Sequence, residues 1–216
     1  MKKTTNNLKN IILEDDVVQL RPLVFEDLEQ LVSFAEKEPD IWTFSLVPLT
    51  GAGDMKEYIE SALSAKGAST EYPFIIFDKR SGRYAGSTRF YDIQLDKGTL
   101  QLGYTWYGKE FQGSGLNKHC KFLLLNYAFD FLGVERVEFR ADNNNIKSIA
   151  AMKSIGCTVE GVLRSHLPMP TGGRRDSIIL SILKSEWNKK LKMELSINWL
   201  GLKYFYSKIK RMMLDG

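Results

Sequence analysis

The segment Phe111-Gln112-Gly113-Ser114-Gly115-Leu116-Asn117 restricts the fold more than any other stretch, because an aromatic-rich strand pattern precedes it and an amphipathic helix pattern follows. Two glycines one residue apart let the backbone come close to a ligand without Cβ obstruction. The helical turn after them presents N–H groups that have no intrahelical acceptor. Such a turn suits an anion, and a pyrophosphate fits it. A short Gly-rich loop also marks ordinary strand-to-helix turns, so its surroundings must decide.

At 216 residues and 44% hydrophobic content the chain can bury a full core, and its size suits one domain with tails. We divide it into a polar N-terminal tail (residues 1–13), a domain (14–188) and a basic amphipathic C-terminal extension (189–216). The start lacks an apolar leader and no stretch approaches the roughly 20 apolar residues of a membrane span, which gives a cytoplasmic expectation. Cys120 and Cys157 have neither pairing nor metal-ligand spacing, and His119 and His166 add no zinc pattern, so no metal is expected.

The formal charge of +4 is unevenly spread. Three lysines fall in the first ten residues and seven basic residues follow position 188. Removing these, with Glu194 and Asp215, from the 30 basic and 26 acidic residues leaves 20 and 24 in the body, a net of −4. An acidic body argues against a nucleic acid partner and mildly favours cationic substrates such as amines.

Residues 17–20 read as a strand, and Leu28, Leu31, Val32 and Ala35 recur at helical spacing until Pro39. Asp54 and Glu57 resemble a capping box that opens a second helix. The aromatic loop 41–53 between these helices either covers a substrate or packs Trp42 and Phe44 onto the core. Residues 72–77, 84–91 and 99–107 form an antiparallel meander broken by turn residues. After the Gly loop a helix carries Leu116, Cys120, Leu123, Leu124, Tyr127 and Phe131. Residues 136–141 then read as a strand parallel to the one before that helix, since strand-helix-strand units cross over right-handed. A further helix begins at residues 142–145, and strands 158–164 and 176–183 close a hairpin. The order βααβββαβαββ implies an α/β fold, a mixed sheet of about seven strands with helices on both faces. The extension reads as an element that docks on this chain or on a second copy, giving a homodimer; a membrane-surface or partner helix is the lesser alternative.

With these elements in place, the chain resembles the GNAT superfamily of acetyl-CoA-dependent N-acetyltransferases, and within it the RimJ/RimL-like branch, whose named members acetylate N-terminal amines of ribosomal proteins. The family's loop Q/R-x-x-G-x-G/A is matched by Gln112-Gly113-Ser114-Gly115-Leu116-Asn117, with Asn117 in place of the last small residue. Asn145-Ile146-Lys147-Ser148 and Ile155-Gly156-Cys157 match the N-x-x-S segment and the Gly-Phe end, with Cys157 where Phe is usual. Leu20-Arg21-Pro22-Leu23 with Asp27, Glu160 to Arg164, Arg175-Asp176 and Glu186-Trp187 extend the resemblance over about residues 17–187.

The resemblance implies acetyl-CoA as co-substrate, with its pyrophosphate on residues 112–117. It implies a pantetheine arm pairing with edge groups of Tyr104, Thr105 and Trp106 where two parallel strands part. One backbone N–H in that stretch would face the thioester carbonyl and contribute roughly 3 kcal/mol. The acceptor is an amine that attacks directly, without an acyl-enzyme. Ser148 takes the role of proton donor to the leaving thiolate and Asn145 that of a pantetheine contact, although a first-turn serine and an N-cap asparagine also have purely structural uses. Many relatives have a glutamate where this chain has Gln101, which is no base at neutral pH. Glu160, acting through water, is the first candidate for general base and His166 the second; a solvated side chain with no part in the chemistry explains either equally well. The alternative function is a CoA-binding sensor or interaction module with weak catalysis.

Overall fold

The structure, a computed structural model, describes residues 10–187. Eight strands form one mixed sheet in the order β1-β2-β3-β4-β5-β6-β8-β7. They are β1 (Leu13–Glu14), β2 (Val18–Pro22), β3 (Tyr72–Asp78), β4 (Arg83–Gln94), β5 (Thr99–Tyr107), β6 (Arg136–Asp142), β7 (Thr158–Pro168) and β8 (Arg174–Leu183). Helices α1 (Leu28–Lys37), α2 (Ala52–Gly67), α3 (Leu116–Asn126) and α4 (Ile146–Ser154) occupy the expected places. The strand beyond the seven read from sequence is β1, whose two residues are too short to show a period. It takes Leu13 out of the segment read as a tail, and buried Ile11 donates its N–H to Tyr72 Oη at 3.0 Å. Ile11 and Leu13 thus pack with the sheet, while the extension 189–216 lies outside the described residues.

Alternation along β5 shows which helices cover which face. Trp106 meets Phe34 of α1 and Trp42 at ring-centroid distances of 5.6 and 5.1 Å. Thr105, its neighbour, receives Lys121 Nζ of α3 at 2.8 Å. Helix α1 and the loop after it thus cover one face and α3 the other. Trp42 packs into the core while Phe44 stays exposed, so the core-packing expectation for loop 41–53 holds for Trp42 and not for Phe44. Asp54 lies in the third position of α2 rather than at its cap, and its carboxylate accepts from the Thr50 N–H at 2.7 Å. The helix starts three residues earlier than the capping-box pattern suggested, because Gly51 takes the extended cap conformation.

Arg21 on β2 forks onto both carboxylate oxygens of Asp27, at 2.6 and 2.9 Å, and donates to Tyr84 Oη at 2.8 Å. That bidentate pair ties the entry of α1 to the meander and holds the guanidinium firmly charged. Gly86 on β4 is the tightest backbone position. With φ at +155°, an added Cβ would lie 2.1 Å from the Trp106 carbonyl oxygen. Neither strand can yield without moving the site-bearing part of β5. Gly86→Ala is expected to cost roughly 3 kcal/mol in urea denaturation at unchanged m-value. A loss below about 1 kcal/mol would contradict this close approach.

Candidate active site

Gly113 and Gly115 have φ of +72° and +83°, and a Cβ at either would meet nothing within 4 Å. The glycines are therefore required by backbone conformation, and the space in front of them is open. Gly115 caps α3 without any side-chain cap. Among the described residues the N–H groups of Gly113, Ser114, Gly115 and Asn117 have no acceptor. The Ser114 hydroxyl folds inward onto the Phe111 carbonyl at 2.6 Å, and Gln112 donates to the Tyr107 carbonyl at 3.1 Å. Buried Leu116 anchors the helix start, while Tyr107 Oη donates to Asn117 Oδ1 at 3.2 Å. Arg80, which the sequence suggested only as a turn residue, donates to the Ser114 carbonyl at 3.2 Å while its Nε pairs with Asp78 at 2.9 Å, so an anchored guanidinium stands beside the loop. An open, electropositive ring of free amides fits a diphosphate.

The parallel pairing of β5 and β6 covers only Thr99–Gln101 against Arg136–Glu138. Beyond it β5 pairs with β4 alone and β6 with β8 alone. The β6-facing edge of Gly103, Tyr104, Thr105 and Trp106 is consequently free. In that stretch the register between β4 and β5 slips, so that Tyr104 and Thr105 together stand opposite Thr88. Tyr104 takes φ of +48°, an uncommon conformation for a non-glycine residue. A bulge of this kind turns one amide away from its ladder. It leaves a donor and an extended edge side by side, which fits a chain of amides ending in a thioester.

At the far end of β6, Asn145 caps α4 by accepting the Ser148 N–H at 3.0 Å. Its amide nitrogen has no partner among the described residues, so the structural and binding uses of Asn145 are compatible. The half-buried Ser148 hydroxyl likewise has no partner among them. Because β5 and β6 run parallel, loop 112–117 and the α4 start both follow the end of the sheet where those strands part. Glu160 is not brought to it. This residue lies on β7, with β8 and β6 between it and β5, and accepts from Arg136 at 2.7 Å and from the Ser181 hydroxyl. Both donors hold its carboxyl below the usual range and make it a weaker base. His166 Nδ1 is bonded to Ser177 Oγ at 3.0 Å. Gln101 donates to Asp92 at 2.8 Å, and its buried amide oxygen has no partner.

Residues 18–158 match the model of the acetyltransferase (GNAT) domain. A protein of Bacillus licheniformis, "Uncharacterized N-acetyltransferase p20", is 25% identical over 171 residues, which are 78% of this chain and 93% of that protein. "Probable N-acetyltransferase YjcK" of Bacillus subtilis is 25% identical over 81% of this chain and 98% of its own length. The crystal structure of a GCN5-related N-acetyltransferase from Brucella melitensis superposes with a TM-score of 0.82 at 26% identity, covering 93% of this chain and 90% of that one.

Beneath the bulge, burial pushes the thiols of Cys120 and Cys157 up to about 12, so neither is a thiolate at neutral pH. Lys121, also buried, is pushed down to about 8 from its ordinary 10.5 by loss of water around its ammonium. Its proton is held less tightly in the folded chain than in the unfolded one. The resulting penalty is full below pH 8 and fades as pH rises toward 10.5. Lys121→Met is expected to raise stability by roughly 2 kcal/mol at pH 7, after the lost Thr105 bond is discounted. The gain should shrink toward pH 10 in paired thermal melts. An equal gain at both pH values would contradict the buried-cation account.

Proposed function

Because this chain belongs to the acetyltransferase (GNAT) domain family, whose members use acetyl-CoA, we propose that it moves an acetyl group onto a primary amine by direct attack of the amine nitrogen on the thioester carbonyl. The single observation that carries the reading is the unpaired, bulged edge of β5 beside the uncapped start of α3. The bound acetyl-CoA supplies an activated acyl group with a thiolate leaving group. Amides of residues 113–117 hold the diphosphate, with Arg80 adding charge. Edge groups of residues 103–106 pair with the pantetheine amides, and Asn145 adds a donor through its free amide nitrogen. One amide at the Tyr104 bulge bonds the carbonyl oxygen as negative charge builds there, worth roughly 3 kcal/mol. As the C–N bond forms and the C–S bond breaks, Ser148 passes its hydroxyl proton to the departing sulfur and is reprotonated through water by the proton that the amine releases. The protonated, buried cysteines support direct attack over an acyl-enzyme.

The amine must also lose a proton, and the carboxylates around the opening are engaged. Glu138 is held by Arg140 at 2.8 Å and Arg136 at 3.4 Å, Glu71 by Arg89 at 2.6 Å. Asp92 accepts from Gln94 and Gln101, and Asp142 from the Asn144 N–H. Glu160 is occupied by Arg136 of β6 and Ser181 of β8. The proton leaves through water, and the acceptor's own ionisation sets the pH dependence. Placement in the RimJ/RimL-like branch rests on the Asn145-Ile146-Lys147-Ser148 segment, and the same reading puts the enzyme in the cytoplasm.

Thiol release from acetyl-CoA over a panel of small amines and peptides tests the proposal. Turnover with at least one acceptor is expected, whereas CoA binding without turnover on any would favour the sensor alternative. Ser148→Ala should lower kcat about a hundredfold while weakening CoA binding far less; equal losses in both would make Ser148 structural. The logarithm of kcat/KM should rise with pH at unit slope up to the acceptor's own pKa. If Glu160→Gln abolishes that limb, Glu160 is the base after all.

A further inference from the structure

We propose that the sheet face beyond the splay holds an anionic group of the acceptor between Arg175 of β8 and Arg140 of β6. The acceptor class is then a small primary amine that also carries a carboxylate or phosphate. This rests on the acetyl-transfer reading and names the substrate class for the same site.

Side chains of Arg136, Glu138 and Arg140 alternate with buried Val137, Phe139 and Ala141, so the charged set projects from one face of β6. It is the face opposite α3, since the Lys121 ammonium lies 5.9 Å from the Phe139 ring on the other side. Tyr91 and Tyr104 stand on the charged face, edge to face at 5.2 Å. Buried Arg89 covers the Tyr104 ring at 4.2 Å. Tyr91 and Tyr104 both lie within electrostatic reach of Arg175. The aromatic pair therefore joins the arginines to the bulge where the thioester would sit.

One guanidinium on this face has no ion pair among the described residues. Arg89 is neutralised by Glu71, and Glu138 serves both Arg136 and Arg140. Asp142 faces Arg175 but makes no ion pair within 4 Å, and it caps the Asn144 amide. Half-buried Arg175 has no carboxylate partner among the described residues, and its one hydrogen bond is from Nε to Ser177 Oγ at 2.8 Å. Terminal nitrogens of Arg175 and Arg140 have no acceptor among the described residues. Burial first, and Arg140 with it, pulls the Arg175 guanidinium below its ordinary range. A partly dehydrated cation with free forked donors beside a second arginine is stabilised by an anion that spans them. The acidic average of the body, which pointed toward purely cationic acceptors, is spent on surface and scaffold pairs and does not describe this face.

Calorimetry on the full chain, first saturated with CoA, tests the subsite with two matched pairs: N-acetylglycine against N-acetylglycinamide, and phosphoethanolamine against ethanolamine. At least one anionic probe is expected to bind about tenfold tighter than its uncharged-headgroup match. Arg175→Lys should keep the sign of that preference and Arg175→Glu should reverse it, with CoA binding by each variant reporting that it folds. Equal binding within both pairs, or an unreversed preference in Arg175→Glu, overturns the subsite and leaves acetyl transfer standing. Absence of CoA binding in the first titration removes the acetyl-transfer reading, and the subsite with it.

Discussion

The parting of β5 from β6 after Gln101 and Glu138 is the constraint on which the rest of the molecule depends. A parallel ladder that stops in mid-sheet leaves backbone donors and acceptors without partners, and an unmatched buried amide costs free energy comparable to a lost hydrogen bond. Helix α3 helps to hold the gap open from below. Lys121 and Phe139 occupy the space between the strands on that side, and Thr105 is tied to Lys121 and, at 2.7 Å, to Thr88. The bulge at Tyr104 then breaks the ladder to β4 beside the gap. The chain keeps an unfavourable edge because an extended amide-bearing ligand can complete it.

Geometry of connection does the remaining work. The strand that is left open runs directly into loop 112–117, and the strand that leaves it runs into the Asn145 cap, so both helix starts flank one gap. Charge is distributed along the same lines. Carboxylates are matched to arginines within the scaffold, as in Arg21 with Asp27 and Arg89 with Glu71, while the loop amides are left positive by their dipoles. The body's acidic average therefore says little about any one cleft.

Much of this was legible in the sequence. Period-2 runs gave the meander, helical stripes gave α1 to α4, and the two glycines gave the open turn of free amides before α3, because each depends on local pattern. Less legible were features set by tertiary contacts. A two-residue β1 has no period, and the register slip at Tyr104 has no glycine to announce it. Arg80 reaches Ser114 only because the β3–β4 turn folds beside α3. Glu160 was a reasonable base on composition alone. Its pairing with Arg136 and Ser181 depends on the β6-β8-β7 order, which residue spacing does not reveal. Asn145 was readable as the α4 cap, and because one amide group has both an acceptor and a donor the cap leaves its nitrogen free for the proposed pantetheine contact.

Amide hydrogen exchange with and without CoA tests the central claim most directly. The account predicts that CoA slows exchange in two separate segments, residues 103–106 on the β5 edge and 113–117 at the start of α3, and leaves the β2–β4 meander unchanged. Protection confined to other segments, or none at all in the presence of saturating CoA, would contradict it.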